Sequence, residues 1–101
     1  GIAYVHVLQP TLHDVGSKPL TAEERAADRA PPSWVRSVGA GYPLLRAAGA
    51  ALHAAGEHFV DASRAFAGVE DTLYYDHCHF VYAGNRILCE LVAREVLADL
   101  H

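Results

Sequence analysis

Apolar residues run almost unbroken from position 2 to 8, Ile-Ala-Tyr-Val-His-Val-Leu, and are β-branched or aromatic enough to predict a short strand buried on both faces, as in a parallel sheet. Gln9-Pro10 ends it, because proline has no N–H to give to a ladder. Residues 11–19 lose all periodicity and turn to Thr, His, Asp, Gly, Ser, Lys and Pro, which predicts a loop at the strand's C-terminal end. Thr21-Ala22-Glu23-Glu24 has capping-box spacing and starts a short helix running to about Arg29. Ala30-Pro31-Pro32 stops it, since a residue before proline is pushed out of the helical region.

Residues 33–41 mix Trp34, Val35 and Val38 with polar residues and glycines, and leave a helical turn and a lid both open. Pro43 suits the first turn of a second helix, in which Leu44, Leu45, Ala48, Ala51, Leu52 and Ala55 recur at helical spacing until Gly56 caps it. His58-Phe59-Val60-Asp61 then reads as the next strand, completing a βαβ unit. Residues 62–72 are loop-like, with Phe66 and Val69 as anchors, and Leu73-Tyr74-Tyr75 leads to Asp76. Gly84-Asn85 opens a final helix, whose stripe of Ile87, Leu88, Leu91, Val92, Val96, Leu97 and Leu100 is expected to cover a sheet face.

The sum is one incomplete α/β layer, two strands and three helices, treated as a single domain over residues 1–101. Its inner sheet edge would present a row of unpaired backbone groups that an upstream strand should satisfy. The absence of methionine and of any polar lead-in before the first strand favours a fragment of a longer protein, with self-association or marginal stability expected of the isolated chain.

Composition narrows the classes further. With 51% hydrophobic and 20% charged residues the chain is globular rather than disordered. A formal charge of −4 with scattered basic residues excludes a nucleic-acid partner. No stretch approaches the roughly 18 apolar residues of a membrane span, and there is no signal-type leader, so a soluble protein of unspecified compartment is expected. Cys78 and Cys89 are too sparse for a disulfide framework or a zinc ribbon and are read as reduced thiols.

The densest chemistry is Tyr74-Tyr75-Asp76-His77-Cys78-His79-Phe80. In one reading Asp76 and His79 form an Asp-x-x-His pair, the carboxylate fixing the imidazole tautomer so that the second nitrogen can take a proton from a nucleophile. In the other, His77 and His79 at i and i+2 bind a metal with Asp76, Cys78 or Cys89, although His6, His13, His53, His58 and His101 offer no partner motif. The first is preferred, with no metal and no cofactor. Elsewhere the plainer roles are preferred: His6 as a core or edge residue, His13 and Asp14 in a solvated loop, Gln9 packing a strand end, Asp61 turning the backbone, and Trp34 and Tyr42 anchoring loops rather than touching an acyl or sugar group.

Asp76-His77-Cys78-His79-Phe80 followed by Gly84-Asn85-Arg86-Ile87-Leu88 resembles the last conserved block of the SGNH/GDSL hydrolases. Tyr4-Val5-His6-Val7-Leu8-Gln9-Pro10, Leu20-Thr21-Ala22-Glu23-Glu24-Arg25, Tyr42-Pro43-Leu44 with Gly56, and Phe59-Val60-Asp61 are similar to other parts of such esterases, so the resemblance covers most of the chain. It implies the C-terminal part of a flavodoxin-like three-layer α/β/α sandwich with a parallel sheet. It also implies a carboxylic ester hydrolase whose serine, near the N-terminus of the domain, attacks a small acyl or carbohydrate ester. The oxyanion would be held by that serine's amide, a glycine and an asparagine. On that reading His79 is the general base and then the acid, Asp76 its orienting partner, and Gly84 and Asn85 structural. Ser17, Ser33, Ser37 and Ser63 lack the Gly-Asp-Ser setting, so the serine and the oxyanion groups would come from a missing N-terminal half and the chain alone would be inactive. The alternative is a non-catalytic α/β binding module that uses the exposed sheet edge.

Overall fold

The βαβ unit is formed as the sequence predicts. In the computed structural model, which describes residues 2–99, β1 (His6–Leu8) and β2 (Phe59–Asp61) pair in parallel, with His6 opposite Phe59, Val7 opposite Val60 and Leu8 opposite Asp61. Helices α1 (Ala22–Ala27) and α2 (Pro32–Ala54) lie between them in sequence, and α3 (Tyr82–Asp99) follows. The described chain is therefore mixed α/β, a two-stranded parallel sheet with three helices. Gly1, Leu100 and His101 fall outside the described residues.

The first strand is shorter and more open than expected. Only residues 6–8 find a partner strand, and Ile2 is 90% exposed with Tyr4 also open. Residues 6–8 are exposed or only half-buried, so the anticipated burial on both faces does not arise.

Helix α1 carries both halves of its capping box: Thr21 Oγ1 accepts from the Glu24 amide at 3.1 Å, and Glu24 Oε1 accepts from the Thr21 amide at 3.0 Å. It ends at the Asp28 cap, slightly before Arg29.

Residues 33–41, left open between a turn and a lid, belong to the long continuous helix α2, which begins with Pro32 in its first turn. Pro43 consequently lies in the helix interior, not at its start. The amide it lacks would have served only the Gly39 carbonyl, which lies at an exposed position open to solvent. At the C-terminus Gly56 takes φ +93°, and the Glu57 and Gly56 amides bond back to Leu52 O and His53 O, both at 3.0 Å. This is a Schellman cap, and glycine supplies the left-handed residue it needs.

The face of α2 that packs is not its leucine stripe. Leu44 is 71% exposed, and Leu45 and Leu52 are also open. Tyr42, Arg46 and Gly49, at i, i+4 and i+7, face inward instead: Tyr42 OH donates to Gln9 O at 2.8 Å, Arg46 meets Asp14, and Gly49 is buried against Phe59 of β2. A Cβ on Gly49 would overlap the Phe59 ring. Gly49→Ala must push helix and strand apart or swing the ring out, so it should cost about 1–3 kcal/mol despite alanine's higher helix propensity. Chemical denaturation reads this directly, and a variant at least as stable as the parent would contradict the packing.

The core sits beside the sheet, under the loops. Leu12, Phe66, Leu73, Tyr74 and Phe80 form it, with the Phe66–Phe80, Tyr74–Phe80 and Phe66–Tyr74 rings edge-on at 5.0, 5.3 and 5.9 Å. Such edge-to-face pairs add to the burial of three large rings. Phe66 and Val69 anchor the long loop as expected. Ile87 and Leu88 pack α3 against this core, but Val96 and Leu97 are exposed and α3 does not cover a sheet face. One link from α3 to the sheet end is a His58 Nε2 to Glu95 Oε2 approach of 3.6 Å.

Candidate active site at the Asp76–His79 turn

Two buried aromatic residues set the base of the turn. Tyr74 and Phe80 form an isolated antiparallel bridge, the Val81 amide donates to Leu73 O at 2.7 Å, and the Tyr75 amide donates to His79 O at 3.1 Å. With both ends fixed in the core, residues 75–79 project outward as a tight loop. Gly84, in the first turn of α3, lies close over this base: a Cβ there would stand 2.9 Å from Phe80 Cβ and 3.4 Å from Phe66 Cζ. Asn85 Nδ2 donates to Phe80 O at 3.2 Å. Helix α3 starts at Tyr82, two residues before the Gly-Asn step, and that step clamps the turn rather than opening the helix.

Within the loop the Asp76 carboxylate organises everything. Its Oδ1 accepts from the amides of Cys78 at 2.8 Å and His79 at 2.7 Å, an Asx-type turn. Its Oδ2 lies 2.8 Å from His79 Nδ1. An ionised carboxylate can only accept, so Nδ1 carries the proton, and in the neutral imidazole Nε2 is then the nitrogen with the lone pair. The Cys78 amide above all, joined by the side chain and amide of His79, holds the Asp76 acid well below the usual carboxylate range and outweighs the opposing effect of burial. Tyr75 stacks on the His79 ring, centroids 5.8 Å apart and planes 18° from parallel. The His79 side chain remains 63% exposed.

Asp76 and His79 are thus brought together, and His77 is not part of the group. Its ring meets Trp34 of α2 edge-on at 5.0 Å, so Trp34 anchors this loop. Cys78 does join it, its Sγ 3.4 Å from His79 Nδ1, and burial together with the nearby Asp76 charge pushes its thiol pKa up. A raised thiol pKa disfavours the thiolate, so Cys78 has none of the activation of a cysteine nucleophile. Cys89 lies exposed on α3.

The serines have other employment. Ser17 Oγ donates to Thr11 O at 2.8 Å, and Ser63 Oγ donates to Asp61 Oδ1 at 2.5 Å, both side chains buried. Ser33 and Ser37 are exposed on α2. Asp61 turns the backbone as expected, accepting the Ser63 amide at 2.9 Å. His6 stands edge-on to Tyr4 at 5.0 Å.

Two groups escaped the sequence reading. Asp14, expected in a solvated loop, is buried, with Arg46 Nη1 at 2.7 Å and Arg64 Nη1 at 3.3 Å on the same carboxylate oxygen. His13 pairs with Asp28 at 2.8 Å and is largely covered as well. No local spacing announces these contacts, because the partners of Asp14 lie 32 and 50 positions away.

Compared with protein families, curated proteins and solved structures, the chain matches none. Among the described residues no helix is long and apolar enough to cross a membrane.

Proposed function

We propose that this chain supplies the orienting aspartate and the general base of an SGNH/GDSL-type serine ester hydrolase, with Asp76 and His79 in those roles. The observation that carries the proposal is the 2.8 Å contact of Asp76 Oδ2 with His79 Nδ1, on a carboxylate already fixed by two backbone amides. A base must present one imidazole nitrogen unprotonated, in a fixed direction and open to its partner. The Asp76 turn provides the first two conditions, and the exposure of His79 provides the third. The nucleophilic serine would give its proton to Nε2 as it attacks the ester carbonyl, and the imidazolium would then protonate the leaving alcohol. Asp76, already ionised, would stabilise that imidazolium. This acid–base chemistry requires no metal or cofactor.

The serine and the oxyanion groups belong, on this proposal, to another part of the same domain, which would extend the two strands into the parallel sheet of a three-layer sandwich. The exposed outer residues of the first strand and the bare leucine stripe of α2 support this, since both are surfaces that further layers would cover. Substrates would be small acyl esters or acyl groups on carbohydrate. The same bare surfaces favour a second reading, a non-catalytic module that docks a partner along its sheet edge with Asp76 and His79 as a structural hydrogen bond. The reading frame of the parent gene separates the two: the esterase proposal expects a strand followed by Gly-Asp-Ser and a later Gly-x-Asn-Asp upstream of residue 1. A parent with neither serves the binding module.

A further inference from the structure

The turn that holds the Asp76–His79 pair gathers three different metal-ligating side chains. One ligand atom from each of Asp76, Cys78 and His79 lies within 4.8 Å of the other two. We propose that these three residues form an open, three-ligand site for a thiophilic divalent cation of the zinc class, with solvent in the fourth position. His77 takes no part: its ring packs edge-on against Trp34, and its nitrogens are not among the ligand atoms the turn gathers.

The distances carry the argument. Tetrahedral zinc with Zn–S of about 2.3 Å and Zn–N of about 2.0 Å needs sulfur and nitrogen roughly 3.5 Å apart. Cys78 Sγ and His79 Nδ1 already stand 3.4 Å apart. Nitrogen and carboxylate oxygen need roughly 3.3 Å by the same geometry. His79 Nδ1 and Asp76 Oδ2 are at 2.8 Å and must open by about half an ångström. The exposed His79 ring can supply that movement by a small rotation. Asp76 needs none, because its other oxygen is held by the Cys78 and His79 amides, the kind of outer contact that orients a ligating carboxylate.

Charge favours the ion as well. Asp76 and Cys78 together neutralise a divalent cation once the ion, by its own charge, has drawn the proton from the Cys78 thiol that Asp76 alone would keep in place, and His79 binds as neutral imidazole. On binding, the thiol gives its proton to solvent and the imidazole proton moves from Nδ1 to Nε2, so no redox partner is involved. The mixed sulfur, nitrogen and oxygen donors select zinc, cobalt or a similar ion over magnesium or calcium, which prefer oxygen alone. An ion seated there displaces the Asp76–His79 hydrogen bond and puts a proton on Nε2, so the metal-bound turn cannot act as a base. The site itself holds whether or not His79 is catalytic.

Cobalt is the probe, since a thiolate ligand gives Co²⁺ a near-ultraviolet charge-transfer band that zinc lacks. The full-length protein, reduced and carrying Cys89→Ser to remove the other thiol of this chain, is titrated with Co²⁺. One equivalent should produce the band, and Zn²⁺ should displace it. Cys78→Ser should abolish the band with the circular dichroism unchanged, His79→Gln should weaken binding at least about tenfold, and His77→Ala should leave it unaltered. Absence of the band in the parent, its survival in Cys78→Ser, or its loss in His77→Ala overturns the site. Ester hydrolysis is scored separately, so loss of the metal site leaves the hydrolase proposal standing, and the reverse.

Discussion

Replacing Glu24 with alanine is expected to destabilise the fold by about 3–5 kcal/mol, the range found when one partner of a buried ion pair is removed. Glu24 is fully buried on α1, and its carboxylate joins three parts of the chain. Oε1 accepts from Lys18 Nζ at 2.7 Å and from the Thr21 amide at 3.0 Å, while Oε2 accepts from the Leu73 and Tyr74 amides, both at 3.1 Å. Alanine would strand the covered ammonium of Lys18 and leave three amides without an acceptor. Against a domain stability of about 5–15 kcal/mol such a loss is large. The amides of Leu73 and Tyr74 are the entry to the Asp76 turn, so His79 should lose its fixed position together with the core.

A double change, Lys18→Met with Glu24→Gln, removes both charges and keeps an acceptor, so it should recover much of the loss. Acid acts on the same point. Burial alone would raise the Glu24 pKa, but Lys18 and the three amides more than offset it and the folded value is lowered. A carboxylate depressed by folding stabilises the fold above its unfolded pKa, and that contribution disappears as pH falls through the folded value. Denaturation midpoints should therefore drop below about pH 4 in the parent, and the acid dependence should be shallower in the double variant. Equal acid sensitivity of the two would remove Glu24 from this role.

The second large effect concerns activity. If His79 is the general base as proposed, His79→Ala in the full-length protein should lower kcat on a model acyl ester by about 10⁴-fold or more with the fold intact, because the group that takes the serine proton is gone. Asp76→Asn should lower it by about 10⁴-fold, since the amide can donate to Nδ1 and fix the wrong tautomer. KM should change little in either variant, as neither side chain is asked to bind the substrate. Activity equal to the parent in His79→Ala would favour the binding-module reading.

Features written in short spacings were legible in the sequence. The capping box at Thr21 and Glu24, the glycine cap at 56 and the Asp-x-x-His pair each depend on residues within one turn of one another, and the structure forms all three. The parallel pairing of the two strands followed from the strand, helix, strand order of the βαβ unit. What failed depends on distance. The leucines of α2 mark the helix by their spacing but not the face that packs, for the sheet is two strands wide, and a face of Tyr42, Arg46 and Gly49 takes the contact. Glu24 was read as a capping residue only, because Lys18 lies in the aperiodic loop six positions before it and the Leu73 and Tyr74 amides lie 49 and 50 positions along the chain. Cys78 was read as a reduced thiol and as one of several possible ligands, and only the folded turn brings its sulfur to His79.

Active-site labelling tests the central claim most directly. The full-length protein and its His79→Ala variant are treated with a fluorophosphonate, and the modified residue is located by mass spectrometry. The account predicts a single labelled serine outside Ser17, Ser33, Ser37 and Ser63, with labelling abolished in His79→Ala. A parent that resists the reagent, or a serine labelled equally well without His79, would contradict it.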